Sequence, residues 1–242
     1  MKKNLIVVRA GDDSLHPGWL ADRPGKDFDV LVSYFGATEG KWRDQADHYQ
    51  AEPGPKWPSL NRLCQEQWPL LRQYDRVAFP DDDLAGTTQG WNDIFRLCED
   101  YRLDLAQPAV AGPGSHEITQ PRPGLVLRFT NFVEVQCPVF RTAALDEVRW
   151  TFAESAAGWG LDMMWPILLP HPWYTLAILD QAFLVHTRPI QTGSLYALLL
   201  RQGINPHEEM AKLVARFELP PLQFVEYGRV PLPSEGPAQP PG

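Results

Sequence analysis

The sequence predicts an α/β fold in a single domain, with a central sheet flanked by helices. Three observations predict it. Short apolar runs rich in β-branched residues alternate with segments of helical period through the first half of the chain. The length, 242 residues, suits one large domain. A hydrophobic fraction of 44% supplies a sizeable core.

The elements follow in order. Leu5 to Val8 is a buried strand bounded by polar residues, and Gly11 to Lys26, rich in Gly, Asp and Pro, reads as a loop. Phe28 to Phe35 is a second strand, closed by Gly36. Residues 37 to 58 read as irregular, after which Ser59 caps a helix through Leu60, Leu63 and Cys64. Arg76 to Pro80 is a third strand and delivers Asp81, Asp82 and Asp83. Thr88 opens an amphipathic helix, because Trp91, Ile94, Phe95 and Cys98 keep the spacing of one buried face.

Leu103 to Val110 returns to the sheet, and Leu125 to Phe140 reads as a strand or an extended pair. Thr142 opens a helix with Leu145, Val148 and Phe152 facing inward. Gly158-Trp159-Gly160-Leu161-Asp162 interrupts that pattern as a loop or helix start. Leu176 to Leu184 is a strand running into Val185-His186-Thr187-Arg188-Pro189, and Ser194 caps a helix stopped by Gly203. Asn205-Pro206-His207-Glu208 is a strong helix start: Asn at the N-cap, Pro at the first helical position, Glu at the third. The domain is expected to span residues 1–218. Residues 219–242 form a Pro-rich tail, disordered from Pro231 onward.

Composition narrows the function. A formal net charge of -8 disfavours nucleic acid as a partner, so a phosphate ligand needs a bound cation or a local basic group. Cys64, Cys98 and Cys137 form no close pair and are odd in number, which argues against a disulfide framework and for a reducing compartment. The apolar run after Met1 stops at Arg9, too short for a signal-peptide core or a membrane span. A cytoplasmic protein without a transmembrane segment is the expectation. Nine Trp supply flat faces suited to sugars, although most such residues serve packing.

The acidic triplet carries the most chemistry. On an extended backbone alternate residues share a face, so Asp81 and Asp83 point together and Asp82 points away. Two close carboxylates repel unless a cation lies between them, and hard oxygen ligands suit Mg²⁺ or Mn²⁺. The competing reading is a solvated acidic turn before a helix. His186 also closes an apolar strand. As a ligand it would favour Mn²⁺, and taken alone it would be a hydrogen-bonded structural residue. Asp162 follows two glycines and a Trp, so it either accepts a proton from a hydroxyl or caps a helix. Glu134 is a second candidate carboxylate, read as an ordinary exposed strand acid. Arg9, Lys56 and Arg188 are candidates to offset phosphate charge.

Taken in order, VVRAGDDSLHPGWL, FDVLVSYFG, Lys56-Trp57, PDDD, LDLAQPA, LRFTNFVEVQCPVF, GWGLD and VHTRP resemble a widespread, largely uncharacterised domain family grouped with GT-A glycosyltransferases. The resemblance runs from Leu5 to about Glu209. It implies a Rossmann-like mixed sheet in one domain and a D-x-D motif at Asp81 and Asp83 holding a divalent metal, Mn²⁺ or Mg²⁺, on the diphosphate of a nucleotide-sugar donor. It further implies His186 as an additional metal ligand, and Asp162 beside the acceptor or donor sugar with Trp159 packing there. Arg9, Lys56, Asp82 and Arg188 would then face the nucleotide. The chain lacks a second, C-terminal acidic cluster and a base-reading motif after the first strand.

The expected activity is transfer of a sugar from a nucleotide-sugar to a carbohydrate or other hydroxyl acceptor. Asp162 would act as base, because the acceptor hydroxyl must lose its proton. Two alternatives use the same residues: a metal-dependent phosphohydrolase acting on a sugar or nucleotide phosphate, and a non-catalytic nucleotide-sugar or carbohydrate binding module.

Overall fold

The structure, a computed structural model, describes residues 2–189, 199 and 201–233. One mixed sheet organises it. The strands are β1 (Asn4–Ala10), β2 (Phe28–Tyr34), β3 (His48–Ala51), β4 (Arg76–Ala78), β5 (Leu84–Ala85), β6 (Leu105–Ala111), β7 (Leu125–Thr130), β8 (Val139–Arg141), β9 (Leu176–His186) and β10 (Glu226–Pro231). Their order across the sheet is β10-β7-β9-β6-β8-β4-β1-β2-β3, with β5 paired to β9. Strands β4, β1, β2 and β3 run parallel, and β8 enters antiparallel between β4 and β6.

Strand alternation sends side chains to two cores, one on each face. In β1, Ile6, Val8 and Ala10 enter one core, while Leu5 and Val7 enter the other. The first core is covered by helix α4 (Thr88–Asp100), whose Trp91, Ile94, Phe95 and Cys98 are buried as the spacing predicts. Each such side chain contributes about 1.5–3 kcal/mol of burial. The Thr87 hydroxyl caps this helix by accepting from Gly90 N–H at 3.0 Å. The second core takes helices α2 (Lys56–Glu66), α5 (Thr142–Val148) and α6 (Leu161–Leu168), and the chain also forms the one-turn helices α3 (Trp68–Leu71) and α7 (Pro172–Thr175). All three cysteines are buried and free. Among the described residues no helix is long and apolar enough to cross a membrane.

Several elements differ from the sequence reading. Residues 11–26 contain a short helix, α1 (His16–Trp19). The stretch read as irregular contains β3, a half-buried edge strand whose polar residues give no apolar alternation. Helix α2 begins at Lys56, not Ser59. Pro58 is tolerated because the first-turn N–H groups have no partner inside the helix. Residues 125–140 form β7, a loop over 131–138, and β8, which joins β4 and β6 rather than β7. The helix opened at Thr142 gives way to a 3₁₀ turn, Arg149–Ala153, which carries Phe152. Within the stretch read as a Pro-rich tail, β10 pairs antiparallel with β7 at the sheet edge, a place where strand prolines are tolerated. The Asn205 cap holds: its side chain accepts from His207 N–H at 3.0 Å and opens helix α8 (Pro206–Arg216). The helix expected after Ser194 falls on residues largely outside those described.

Candidate active site

The parallel strands β1, β2 and β4 end on one edge, where ligands gather in such sheets. A cavity of about 400 Å³ opens there. Arg9, Lys56, Asp81, Asp82, Asp83, Trp159, Asp162, His186 and Arg188, the residues singled out in the sequence, all line it.

The triplet bridges β4 and β5, and each of its residues is tied to a different part of the fold. Asp81 N–H donates to Gln136 O at 2.8 Å, Asp82 O accepts from Leu15 N–H at 2.7 Å, and Asp83 O accepts from Thr187 N–H at 3.2 Å. All three side chains line the cavity, and each has a different partner. Asp81 Oδ1 meets Lys56 Nζ at 2.6 Å, and that ammonium also reaches Val135 O at 3.0 Å. Asp82 Oδ2 accepts from Gly11 N–H at 2.7 Å, a structural contact. Asp83 Oδ2 lies 3.4 Å from His186 Nε2, while Asp83 Oδ1 is buried with no hydrogen-bond partner.

His186 ends β9 and is itself constrained. Its Nδ1 lies 2.7 Å from Pro113 O, which can only accept, so Nδ1 carries a hydrogen. In the neutral ring Nε2 then turns a lone pair toward the Asp83 carboxylate. That arrangement needs positive charge between the two groups. With a proton as that charge, the hydrogen bond to Asp83 pushes the imidazole up to about 9. The close approach depends on Gly112 at φ 111°, because a Cβ there would stand 2.4 Å from His186 O.

Asp162 lies in the first turn of α6, with Gly160 in the left-handed region as N-cap. Burial pushes its carboxyl up to about 7, against the opposing pull of backbone N–H groups from Gly160, Met163 and Val135. The loop before it is tightly held. Glu209 of α8 accepts from Ser155 Oγ, Ala156 N–H and Ala157 N–H at 3.0, 2.8 and 2.9 Å. Trp159 is half-buried and meets His207 edge-on at 4.8 Å.

The basic residues are largely committed. Arg9 is buried and donates to Ser33 Oγ, Glu52 O and Gly54 O at 2.8, 2.8 and 2.7 Å, anchoring the segment that leads into α2. Burial lowers its guanidinium to about 10. Arg188 donates to Asp13 O at 2.9 Å. Lys56 is held between Asp81 and Val135.

Glu134 corrects the sequence reading. It lies in the 131–138 loop, not on a strand, and it is buried and lines the cavity. The available signal was an acid set inside the apolar run FVEVQCPVF. His116, Phe132, Met163, His207, Met210 and Leu222 also line the cavity. Their helical or loop patterns carry no chemical signature.

Among the described residues no group of three or more His, Cys, Asp or Glu side chains is arranged as a ready metal shell. The donors that are present nonetheless fit a divalent cation: an unpartnered buried carboxylate oxygen on Asp83, and His186 Nε2, 3.4 Å from the other oxygen of the same carboxylate and able to ligate once its proton is displaced.

The sequence matches no family model and no curated protein. Solved structures are similar in fold. Residues 1–349 of TarS from S. aureus share 16% identity at a TM-score of 0.54, over 77% of this chain and 60% of that one. Glucosyl-3-phosphoglycerate synthase from Mycobacterium tuberculosis, in complex with Mn²⁺, UDP-glucose and phosphoglyceric acid, shares 15% at 0.54, over 90% and 81%. The mannosyltransferase PcManGT from Pyrobaculum calidifontis, in complex with GDP-Man and Mn²⁺, shares 13% at 0.53, over 90% and 66%. The fold is that of GT-A glycosyltransferases: a mixed central sheet flanked by helices.

Proposed function

We propose that this chain is a metal-dependent glycosyltransferase that moves a sugar from a nucleotide-sugar donor to a hydroxyl acceptor. The observation that carries the proposal is the meeting of Asp81, Asp83, His186 and Asp162 in one cavity at the strand ends. The similar structures bound to UDP-glucose or GDP-Man with Mn²⁺ support it.

Asp83 and His186, with Asp81 beside them, would hold the cation. Mg²⁺-type sites commonly take one or two carboxylates from the protein and the remaining ligands from substrate phosphates and water. A shell incomplete in protein ligands accords with that habit. When bound, the metal neutralises negative charge developing on the leaving diphosphate.

The protein's own groups do the rest. Lys56 balances Asp81 and keeps a fixed cation beside the phosphate end. Asp82 fixes the Gly11 backbone at the rim. Asp162 takes the proton from the acceptor hydroxyl, and its carboxyl near 7 suits a base that must accept and release a proton at neutral pH. Trp159 offers an aromatic face to a sugar ring. If Asp162 assists direct displacement, the anomeric configuration inverts.

The test is a thermal shift with UDP and with GDP, each with and without Mn²⁺. Stabilisation by a nucleoside diphosphate that requires Mn²⁺ supports the reading. No response to either nucleotide, together with phosphate release from simple monoesters, overturns it in favour of a phosphohydrolase. Stable nucleotide-sugar binding with no turnover on any acceptor, and none on water, indicates a binding module.

A further inference from the structure

Charge divides the cavity into two ends. Its described lining holds three Lys or Arg side chains, Arg9, Lys56 and Arg188. All three belong to the end marked by the acidic triplet. Lys56 meets Asp81 at 2.6 Å, and Arg9 and Arg188 each interact with the charge of Asp82. Lys56 also touches Val135, whose N–H serves Asp162, but its ammonium is committed to Asp81 Oδ1 and Val135 O. The stretches of chain outside the described residues contain no Lys or Arg to add.

The backbone at the Asp162 end offers no anion site either. Free N–H groups at a helix start attract anions. At the start of α6 those of Gly160, Asp162 and Met163 serve the Asp162 carboxylate. In the loop before it, Ala156 N–H and Ala157 N–H donate to Glu209 at 2.8 and 2.9 Å, and Gly158 N–H donates to Ser155 Oγ at 2.9 Å. Two carboxylates of the protein thus fill the places that a phosphate or carboxylate on an acceptor would need.

The rest of that wall is apolar. Met163 follows Asp162 and lines the cavity. A Cβ at Gly160 would stand 3.4 Å from Met210 Cγ, which sets Met210 of α8 two residues from Asp162. Leu222 also lines the cavity and is exposed, and exposed Phe224 packs on cavity-lining Phe132 at 4.9 Å. Apolar surface therefore continues from the cavity to the outside. An acceptor hydroxyl placed at Asp162 sets the rest of its molecule against this surface. Polar groups there would lose water without gaining partners, whereas apolar groups gain by leaving water. The unbranched methionines adapt to an irregular apolar shape. We propose that the acceptor is an uncharged alcohol that carries an apolar body, an alkyl chain or an aromatic ring. This inference rests on the glycosyltransferase reading.

Isothermal titration of the intact chain, loaded with Mn²⁺ and whichever of UDP and GDP it binds, tests the assignment. The probes are glucose, glucose 6-phosphate, phenyl glucoside, and octyl glucoside below its micelle concentration. At least one glucoside should bind about 10-fold or more tightly than glucose, the equivalent of about two buried methylene groups. Glucose 6-phosphate should bind no more tightly than glucose. The better glucoside identifies the body as alkyl or aromatic. Met210→Lys, which puts a cation on the apolar wall, should abolish the preference for the glucoside and favour glucose 6-phosphate. Its nucleoside diphosphate affinity reports that the variant is folded. Equal affinities for glucose and both glucosides, or tightest binding of glucose 6-phosphate to wild type, overturn the assignment. So does a glucoside preference that Met210→Lys leaves intact, which would put the body on another surface. If neither nucleotide binds in Mn²⁺, the glycosyltransferase reading falls and takes the acceptor assignment with it, a failure distinct from the other three.

Discussion

His186 Nε2 stands 3.4 Å from Asp83 Oδ2 while the other ring nitrogen is committed to the Pro113 carbonyl. The ring cannot turn its hydrogen-bearing Nδ1 toward Asp83 without losing that bond. Positive charge between the two groups therefore comes from a proton or from a metal. The two cases differ experimentally. If a divalent cation takes this place, His186→Ala and Asp83→Asn should each raise the Mn²⁺ concentration needed to promote nucleoside diphosphate binding by at least about 10-fold, the lower range for weakening a metal site. Titration of Mn²⁺ at fixed nucleotide measures this. Unchanged Mn²⁺ dependence in both variants would leave the pair as a plain ion pair.

Asp162 sets the second expectation. A base must be ionised to accept a proton, and burial holds this carboxyl near 7. Turnover should therefore rise with pH up to about 7 and level off above it, falling about tenfold per unit on the acid side. Asp162→Asn should lower kcat by about 100-fold or more and leave nucleoside diphosphate affinity intact. A variant with normal turnover, or one that loses nucleotide affinity as Asp81→Asn does, would contradict the role.

Stability should depend on pH in a direction opposite to that of a salt-bridged acid. Asp162 and Glu134 are raised to about 7 and about 8 from ordinary values near 4. The folded chain thus binds these protons more tightly than the unfolded chain. Their contribution is fully present below about pH 4 and is lost as pH rises through 7 and 8. In metal-free, nucleotide-free buffer, the urea midpoint should fall between pH 6 and 8.5. The double variant Asp162→Asn, Glu134→Gln should flatten that slope. An equal slope in the double variant would place the titrating groups elsewhere.

The approach of the loop to α2 sets the fourth. Gly158 has φ 84°, and a Cβ built there would stand 2.0 Å from Trp57 Nε1. Gly158→Ala adds left-handed strain and forces a fully buried Trp aside, at a cost of about 1–3 kcal/mol or more. Chemical denaturation should register this loss. Because the same loop carries Trp159 and leads to Asp162, kcat should drop with stability, whereas Gly40→Ala, at an open position, should cost only its backbone strain.

Where periodicity is strong, the sequence was readable. The existence of β1 and β2 as buried strands, the buried stripe of α4, the extent of β9 to within two residues of its end and the Asn205 cap all follow from local pattern. β3 did not, because an edge strand of His, Tyr, Gln and Ala has no apolar alternation to read. β10 lay hidden among prolines, since edge pairing relaxes the usual cost of Pro. Glu134 was misread because its burial comes from Thr119, Gln107 and Asp162, which lie 15, 27 and 28 positions away along the chain.

The residue types at the strand ends, the acidic triplet after β4, the imidazole that ends β9 and the carboxylate after two glycines were determined by the sequence alone. Strand and helix periods are local, and they show where each chain segment must stop. Tertiary structure alone decided which charges face one another. It spent Arg9 on the backbone of residues 52–54, set Lys56 against Asp81, left Asp83 Oδ1 unpartnered and raised Asp162 and Glu134. Protonation and pairing depend on desolvation and on distances between segments far apart in the chain, and those exist only once the sheet and its covering helices have packed.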